Sequence, residues 1–283
     1  MERIHRKVGL SQCGNRDLSE AQLSAYREGG IEALELSCAL QPADAGDLAE
    51  ARRNAERIGI ELWTAHLPFS PFHYLNIASL DKPLRDFSVA HLSEVIRRYS
   101  ETGTKTYVIH PSSEPNLEED RERLLGYAAE SLVKLADVAA SVGGVIAVED
   151  LPRTCLGRDS RDIATLLAAD ERLTLCFDTN HLLSEPIADF VRAVGGRMRT
   201  VHVSDYDFVD ERHWLPGEGD IDWVELLDLL DEVGYRGPFL YELGLKNPKA
   251  PLVRERELLY SDFARNAREL ENREKPTVFA KRA

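Results

Sequence analysis

The strongest constraint on the fold is an alternation of short apolar runs with longer amphipathic stretches, which recurs about eight times along the chain. Short apolar runs of this kind are typical of buried parallel strands, and the amphipathic stretches are typical of the helices that connect them. The predicted strands are 7–12, 33–36, 61–65, 106–109, 144–148, 173–177, 199–203 and 238–241. Eight such units predict an α/β fold with a single (β/α)8 TIM barrel, and 283 residues is an ordinary length for that fold.

The domain organisation follows from the same pattern. No change in composition and no Pro/Ser-rich linker divides residues 1–270, so we expect them to form one barrel domain. Helix-capping side chains at Ser19 and Asp222 stand where helices of such a barrel should begin. The segment 271–283 is charged and predicts a solvated C-terminal tail. Its apolar residues Val278 and Phe279 are candidates for contact with a partner subunit in a homodimer.

The charge balance restricts the partners of the protein. The chain has 35 basic and 49 acidic residues and a formal net charge of -14, so its average surface repels polyanions. No apolar run is long enough to span a membrane, and residues 1–10 carry basic side chains with no apolar stretch behind them. We therefore expect a cytoplasmic protein that binds a small molecule, with neither nucleic acid nor a membrane as its partner.

Nearly every predicted strand ends in a side chain that can bind a metal or move a proton. In a (β/α)8 barrel the C-terminal strand ends meet at one mouth, where active sites are built. Several carboxylates buried together in that mouth would repel one another, so we expect a cation to neutralise them. The candidates at these strand ends are His66, His110, Glu149, Asp178, His181, His202 and Glu242.

The residue types in this set also indicate a chemistry. A site built from the two Glu, the Asp and one His of this set would offer mixed oxygen and nitrogen ligands. Such ligands suit Mn²⁺, Mg²⁺, Co²⁺ or Zn²⁺, and the sequence alone does not choose among these metals. A metal makes the proton next to a carbonyl group removable because it stabilises the enediolate that forms, and a positioned carboxylate can then act as the base.

Motifs at these strand ends carry a family resemblance. They are the acid that ends strand five, Asp178-x-x-His181, His202-Val-Ser-Asp205 followed by the segment from Pro216 to Asp222, and Glu242. With these motifs the chain resembles the xylose isomerase-like barrel superfamily, specifically the sugar phosphate isomerase/epimerase type, which is related to ketose 3-epimerases and more distantly to endonuclease IV. The resemblance spans residues 7–243.

The resemblance implies that Glu149, Asp178, His202 and Glu242 coordinate one divalent metal to which the carbonyl and hydroxyl oxygens of the substrate bind. Glu149 and Glu242 would also move protons on two sides of the substrate. The implied function is a divalent-metal-dependent isomerase or epimerase of a small sugar, a sugar phosphate or a related polyhydroxylated carbonyl compound, acting through a metal-stabilised enediolate.

The remaining site residues are implied in the same way. His181 and His213 would hold substrate oxygens, whereas His66 and His110 would line the pocket. Ketose epimerases tend to have Arg at the position of His213, so this chain departs from their pattern there. Asp205 is expected to orient a ligating imidazole from behind.

Two alternatives stay open. Endonuclease IV-like phosphoesterases cleave abasic DNA with three zinc ions, and their ligand pattern is also visible here. The matching residues are His66, His110, Glu149, Asp178, His181, His202, His213 and Glu242, with Glu211 where that family has Asp. The net charge of -14, the lack of a basic loop and a first strand without the sequence Gly-Ala-His-Val-Ser argue against DNA cleavage. A catalytically silent sugar-binding barrel is the other alternative.

Overall fold

The computed structural model describes residues 4–246 and 248–282. Its central strands are β1 Val8–Ser11, β2 Ala33–Ser37, β3 Glu61–His66, β4 Thr106–Ile109, β5 Val145–Glu149, β6 Thr174–Asp178, β7 Met198–His202 and β8 Phe239–Tyr241. They form one parallel sheet in the order β7-β6-β5-β4-β3-β2-β1-β8. Each strand overlaps one of the predicted runs, so the expected (β/α)8 fold is confirmed.

The sheet closes on itself through its two end strands. β1 pairs with β8 as well as with β2, and an isolated bridge between Val203 and Tyr241 joins the ends of β7 and β8. Gly9 lies at a close approach in this part of the barrel, because a Cβ there would be 3.1 Å from the Cα of Leu240. Since all the strands are parallel, their C-terminal ends open at one mouth.

Helices cover the outside of the barrel. They are α1 Glu20–Glu28, α2 Leu48–Ile58, α3 Lys82–Tyr99, α4 Arg121–Ser141, α5 Ser160–Leu167, α6 Ile187–Val194, α7 Trp223–Glu232 and α8 Tyr260–Glu271. Both expected caps are present: Ser19 Oγ accepts the amide proton of Gln22 at 3.3 Å, and the Asp222 carboxylate accepts that of Val224 at 3.0 Å. None of the helices in residues 4–246 and 248–282 combines the length and the hydropathy needed to cross a membrane.

The barrel interior supports the mouth with small side chains. Val108, Ala147 and Cys176 are fully buried and contact one another. Because successive strand residues alternate between the two faces of a sheet, Glu149 and Asp178 point to the same interior two positions later along β5 and β6. On this side of the interior, small apolar side chains therefore lie directly below Glu149 and Asp178.

The tail differs from its expected form. The short strands β9 Leu252–Arg254 and β10 Ala280–Arg282 pair in antiparallel fashion outside the barrel. Glu218, in the turn before α7, forms a buried ion pair with Arg254 at 2.8 Å and accepts the amide proton of Phe279 at 3.2 Å. Part of the expected solvated tail is thus attached to the barrel, because its backbone groups find partners there. Docking of Val278 on a partner subunit stays a prediction.

Candidate active site

The mouth of the barrel brings together acids and histidines from most of its strands. His66, Glu149, Asp178 and His202 are the last residues of β3, β5, β6 and β7, and Glu242 follows β8 directly. Ladder pairing fixes the backbone at several of these positions, for example between Asp178 and His202. The site is therefore built on rigid elements, which sequence spacing could anticipate.

Glu149, Asp178, His202 and Glu242 form a group that we call the central cluster, in which ligand atoms of all four lie within 4.8 Å of one another. His202 Nδ1 is 3.0 Å from Glu149 Oε1, 3.2 Å from Glu242 Oε2 and 3.9 Å from Asp178 Oδ2. The first three side chains are at most 1% exposed, whereas Glu242 is 18% exposed. The four residues expected to hold a metal therefore converge.

The donor set of the central cluster fits a divalent cation. Asp178 Oδ2 is buried and has no hydrogen-bond partner within the described part of the chain. A buried carboxylate oxygen without a partner is costly, and three carboxyl groups around one imidazole concentrate negative charge. A cation that accepts both oxygen and nitrogen ligands would relieve both problems.

The protonation states reflect the same crowding. Burial and the neighbouring Glu242 carboxylate raise the pKa of Asp178 well above its usual range. Burial also favours a higher pKa for Glu149, but the His202 and His110 rings outweigh burial and lower the pKa of Glu149 well below its usual range. Burial opposes a charged His202 ring, yet Cys176 and Glu242 raise its pKa. Protons thus compensate part of the cluster's charge, and a bound cation would displace them.

Two histidines lie on one side of Glu149. The Nε2 atoms of His66 and His110 are each 3.1 Å from Glu149 Oε2. Burial opposes a charged His66 ring, but the hydrogen bond and charge of Glu149 raise the pKa of His66 to about 9. Phe69 stacks on His110 with ring centroids 4.2 Å apart. We call His66, His110 and Glu149 the inner flank, which shares Glu149 with the central cluster.

His181, Glu211 and His213 form a second group, the rim cluster, on the other side. His213 Nε2 is 2.9 Å from Glu211 Oε1, and Lys249 Nζ is 2.7 Å from the same oxygen. His213 adopts a φ of 52°, in the left-handed region. Burial lowers the pKa of His181 to about 4, so this ring is neutral at neutral pH. Its Nδ1 lies 2.8 Å from the Asp150 carbonyl oxygen, which can only accept, so Nδ1 is protonated and Nε2 carries the lone pair.

Two cavities reach the central cluster. The larger, of about 590 Å³, extends over the ends of β1 and β2, and the smaller, of about 180 Å³, lies beside Glu149 and His110. Glu242 lines both cavities, and Glu149 lines the smaller one. A ligand that entered this space would therefore meet both glutamates of the central cluster.

A family model described as xylose isomerase-like TIM barrel matches residues 23–262. The matched stretch contains the central cluster, the inner flank and the rim cluster. The chain belongs to the xylose isomerase-like TIM barrel family. Membership in this family confirms the resemblance that the strand-end motifs indicated.

Within the xylose isomerase-like TIM barrel family, the chain is similar to curated proteins with different names. It is 28% identical over 231 residues to an uncharacterized protein of Methanocaldococcus jannaschii, a match that covers 77% of this chain and 76% of that protein. It is 28% identical over 141 residues to fructoselysine 3-epimerase of Escherichia coli O157:H7, which covers 47% of this chain and 51% of that enzyme. It is 26% identical over 178 residues to a probable endonuclease 4 of Geobacter sulfurreducens, which covers 56% and 58%. The chain thus spans little more than half the length of either of these two enzymes.

Solved structures show the same fold. A D-psicose 3-epimerase crystallised in the presence of D-fructose superimposes with a TM-score of 0.76 at 18% identity, covering 96% of this chain and 100% of that one. A D-tagatose 3-epimerase-like protein superimposes with a TM-score of 0.75 at 22% identity, covering 94% and 98%. At these identities the likeness establishes the barrel architecture of the family.

Sequence reasoning missed an acid beneath the central cluster. Glu35, in the middle of β2, is fully buried. Its Oε2 is 2.8 Å from Thr64 Oγ1 and 3.0 Å from His202 Nε2. The signal was a single acidic residue within the otherwise largely apolar strand Ala33–Ser37, but strand periodicity does not show which side chain such an acid contacts across the barrel.

Asp205 makes different contacts from those expected of it. Its carboxylate accepts hydrogen bonds of 2.7–3.2 Å from the backbone amides of Tyr206, Gly217 and Ile221 and from the indole of Trp223. The expected imidazole is not among these partners, because the carboxylate faces the turn between β7 and α7. Asp205 therefore fixes the loop that carries the rim cluster.

Asn180 is a further residue that the sequence analysis did not single out. Its Oδ1 accepts the amide protons of Arg212 at 2.9 Å and of His213 at 3.1 Å. These two bonds tie the end of β6 to the segment that presents Glu211 and His213. Asn180 lies between Asp178 and His181 in the sequence, which places its side chain near the site. The sequence does not show that the loop with Arg212 and His213 comes within hydrogen-bond distance of it.

Proposed function

We propose that the protein is a divalent-metal-dependent isomerase or epimerase of a small sugar, a sugar phosphate or a related polyhydroxylated carbonyl compound. The observation that carries this proposal is the convergence on His202, at the wall of a cavity, of two glutamates and an aspartate oxygen that has no hydrogen-bond partner in the described part of the chain. Glu149, Asp178, His202 and Glu242 would hold the metal. A divalent cation bound there supplies the positive charge that stabilises an enediolate.

The two glutamates are placed to move the protons. Glu242 faces both cavities and Glu149 faces the smaller one, so their carboxylates reach a bound substrate from two directions. Burial works against a charged Glu242, but His202 lowers its pKa well below the usual range, so this carboxylate is ionised in the metal-free protein. One glutamate removes the proton beside the carbonyl group. Return of a proton to the other face of that carbon epimerises it, and return to the neighbouring carbon isomerises the substrate.

The flanking histidines are suited to bind and orient. His181 presents the lone pair of Nε2, which can accept a hydrogen bond from a substrate hydroxyl group. His213 lines both cavities and would contact substrate oxygens from the rim. His66 and His110 both contact Glu149 Oε2, so they line the pocket and hold this carboxylate in place.

Names among the similar proteins support a carbohydrate substrate. Fructoselysine 3-epimerase is a relative, and D-psicose 3-epimerase shares the fold. The shared fold alone does not define chemistry, so the proposal depends on the central cluster of this chain.

The test is exchange of substrate hydrogen with solvent. The purified protein is loaded in turn with Mn²⁺, Mg²⁺, Co²⁺ or Zn²⁺ and incubated in D₂O with a panel of ketoses, aldoses and their phosphates. We expect deuterium at the carbon beside the carbonyl group of at least one sugar, with loss of exchange after chelation of the metal. Glu61→Gln changes an exposed glutamate paired with Lys7 and should exchange like the unsubstituted protein, so it is the matched control for substitutions of the glutamates in the central cluster. Absence of exchange in every metal form would contradict the proposal.

A second function is favoured by the two flanking groups. The inner flank adds His66 and His110 to the shared Glu149, and the rim cluster adds three further potential ligands, as a three-zinc phosphoesterase acting on abasic DNA would require. The net charge of -14 opposes binding of a duplex. Elemental analysis separates the two functions: one metal per chain favours the isomerase, whereas three zinc ions together with cleavage of an abasic oligonucleotide favour the phosphoesterase.

A further inference from the structure

His202 has carboxylates on both sides of its ring. Nδ1 faces Glu149 and Glu242 at 3.0 and 3.2 Å, and Nε2 faces Glu35 at 3.0 Å. A neutral imidazole carries one proton, on either nitrogen, and the other nitrogen presents a lone pair. The position of this proton therefore decides whether Nδ1 can bind a cation in the central cluster.

Glu35 is placed to take the proton on Nε2. Glu35 and His202 are both fully buried, so water does not compete for the contact. The hydroxyl group of Thr64 donates to the same Oε2 at 2.8 Å and fixes the orientation of the carboxylate. Glu35 Oε1 has no hydrogen-bond partner among residues 4–246 and 248–282. Since so few donors stabilise this buried carboxylate, each of them contributes strongly.

We infer that Glu35 is a positioning residue that fixes the tautomer of His202. Its carboxylate accepts the Nε2 proton, so that when a cation displaces the proton on Nδ1, the Nδ1 lone pair is directed at the space between Glu149, Asp178 and Glu242. The inference rests on the proposed function, because that function assigns the Nδ1 side to a metal. A carboxylate behind a ligating imidazole fixes the ring and raises its basicity, and loss of such a partner typically lowers metal affinity by about 10–100-fold.

Substitutions at Glu35 separate this role from simple packing. Glu35→Gln keeps the shape but offers an amide that can donate to Nε2, which would move the ring proton to Nδ1 and block the metal side. Glu35→Ala removes the acceptor, whereas Glu35→Asp keeps the charge and should restore part of the affinity. Thr64→Val removes only the second hydrogen bond to Glu35. Glu61→Gln, on the exposed start of β3, is the matched control.

The first measurement is the affinity of each variant for Mn²⁺, by competition with a fluorescent chelator, with circular dichroism to confirm the fold. We expect Glu35→Gln and Glu35→Ala to bind Mn²⁺ about 10–100-fold more weakly than the unsubstituted protein. Glu35→Asp should fall between these variants and the unsubstituted protein, and Glu61→Gln should not differ from it. Unchanged Mn²⁺ affinity in folded Glu35→Gln and Glu35→Ala would overturn the inference.

A second measurement does not depend on metal. In metal-free, ¹⁵N-histidine-labelled protein, brought to a pH at which the His202 ring carries a single proton, we expect this proton on Nε2, assigned by the absence of its signal in His202→Ala. This proton should persist in Glu61→Gln and disappear in Glu35→Ala. If the unsubstituted protein binds no metal but shows this pattern, the proposed function fails and the tautomer assignment stands. If metal binds at the central cluster and the proton persists in Glu35→Ala, the assignment fails and the proposed function stands.

Discussion

The central cluster and the rim cluster contain the same kinds of side chain but are held in different ways. The central residues end strands of the barrel, and three of the four are almost fully buried. In the rim cluster, Glu211 and His213 lie in the loop after β7 and are 19% and 21% exposed. Hydrogen bonds accepted by the side chains of Asp205 and Asn180 hold that loop. Regular structure thus sets the position of the central ligands, and individual contacts set the rim.

The largest difference should appear in turnover. Glu242→Gln removes a proposed proton carrier and should lower kcat by roughly 10²–10⁴-fold, which is the usual contribution of a general acid or base. Glu211→Gln, at the rim, should lower kcat less. The measurement is the rate of deuterium exchange in the sugar that the proposed test identifies, with thermal unfolding as the check on fold. Equal losses in both variants would remove the functional distinction between the two clusters.

Within the loop that carries the rim cluster, the contribution to the free energy of unfolding should come mainly from Asp205. Asp205→Ala leaves several buried donors without an acceptor and should lower the free energy of unfolding by about 3 kcal/mol. Asp220→Ala, in the same loop, removes an exposed contact with Arg282 and should cost less than about 1 kcal/mol. Urea denaturation measures both values. A small effect of Asp205→Ala would show that the loop is held by other means.

A finer test concerns the link between β6 and the rim. Asn180→Ala removes the acceptor for two backbone amides and should lower the free energy of unfolding by about 1–3 kcal/mol. The matched control is Asn15→Ala, because the exposed Asn15 Oδ1 also accepts a backbone amide proton, that of Asp17 at 3.1 Å. Urea denaturation measures both values, and a loss in Asn180→Ala no larger than that in Asn15→Ala would show that the Asn180 bonds do not hold the rim loop.

The smallest effect is expected from the exposed ion pairs of the rim. Arg153 contacts Glu114 at 2.7 Å and Glu211 at 3.1 Å, but its side chain is 38% exposed, so solvent screens these pairs. Arg153→Ala should therefore lower stability by about 1 kcal/mol or less, with a smaller difference at high salt. Urea denaturation at two salt concentrations checks this. A loss above about 2 kcal/mol would place the rim among the well-buried parts of the molecule.

Periodicity predicted the barrel and the strand-end candidates, and the family resemblance selected the members of the central cluster from among them. Apolar runs mark the strands, and the rule that strand ends meet at one mouth brings Glu149, Asp178, His202 and Glu242 together. The chemistry of these residues stays a prediction until it is measured. In the rim cluster, His181 was a strand-end candidate, whereas the family resemblance supplied Glu211 and His213.

Other features depend on contacts that no local pattern encodes. Glu35 was missed because its partner His202 is five strands away along the chain, and adjacent only across the closed barrel. The contacts of Asp205 were misjudged because they depend on the path of a loop. The tail was expected to be solvated because it is charged, and β10, with only three residues, is too short to give a clear strand pattern.

The attachment of the tail limits how freely its sequence can change. A Cβ on Gly217 would lie 2.9 Å from the Cβ of Pro276, so these two positions are tightly coupled. Glu218, next in the chain, is bound to both Arg254 and the amide of Phe279. The same turn is held by Asp205, which also supports the loop of the rim cluster. A substitution that enlarges Gly217 or displaces Pro276 would therefore disturb a turn close to the candidate site.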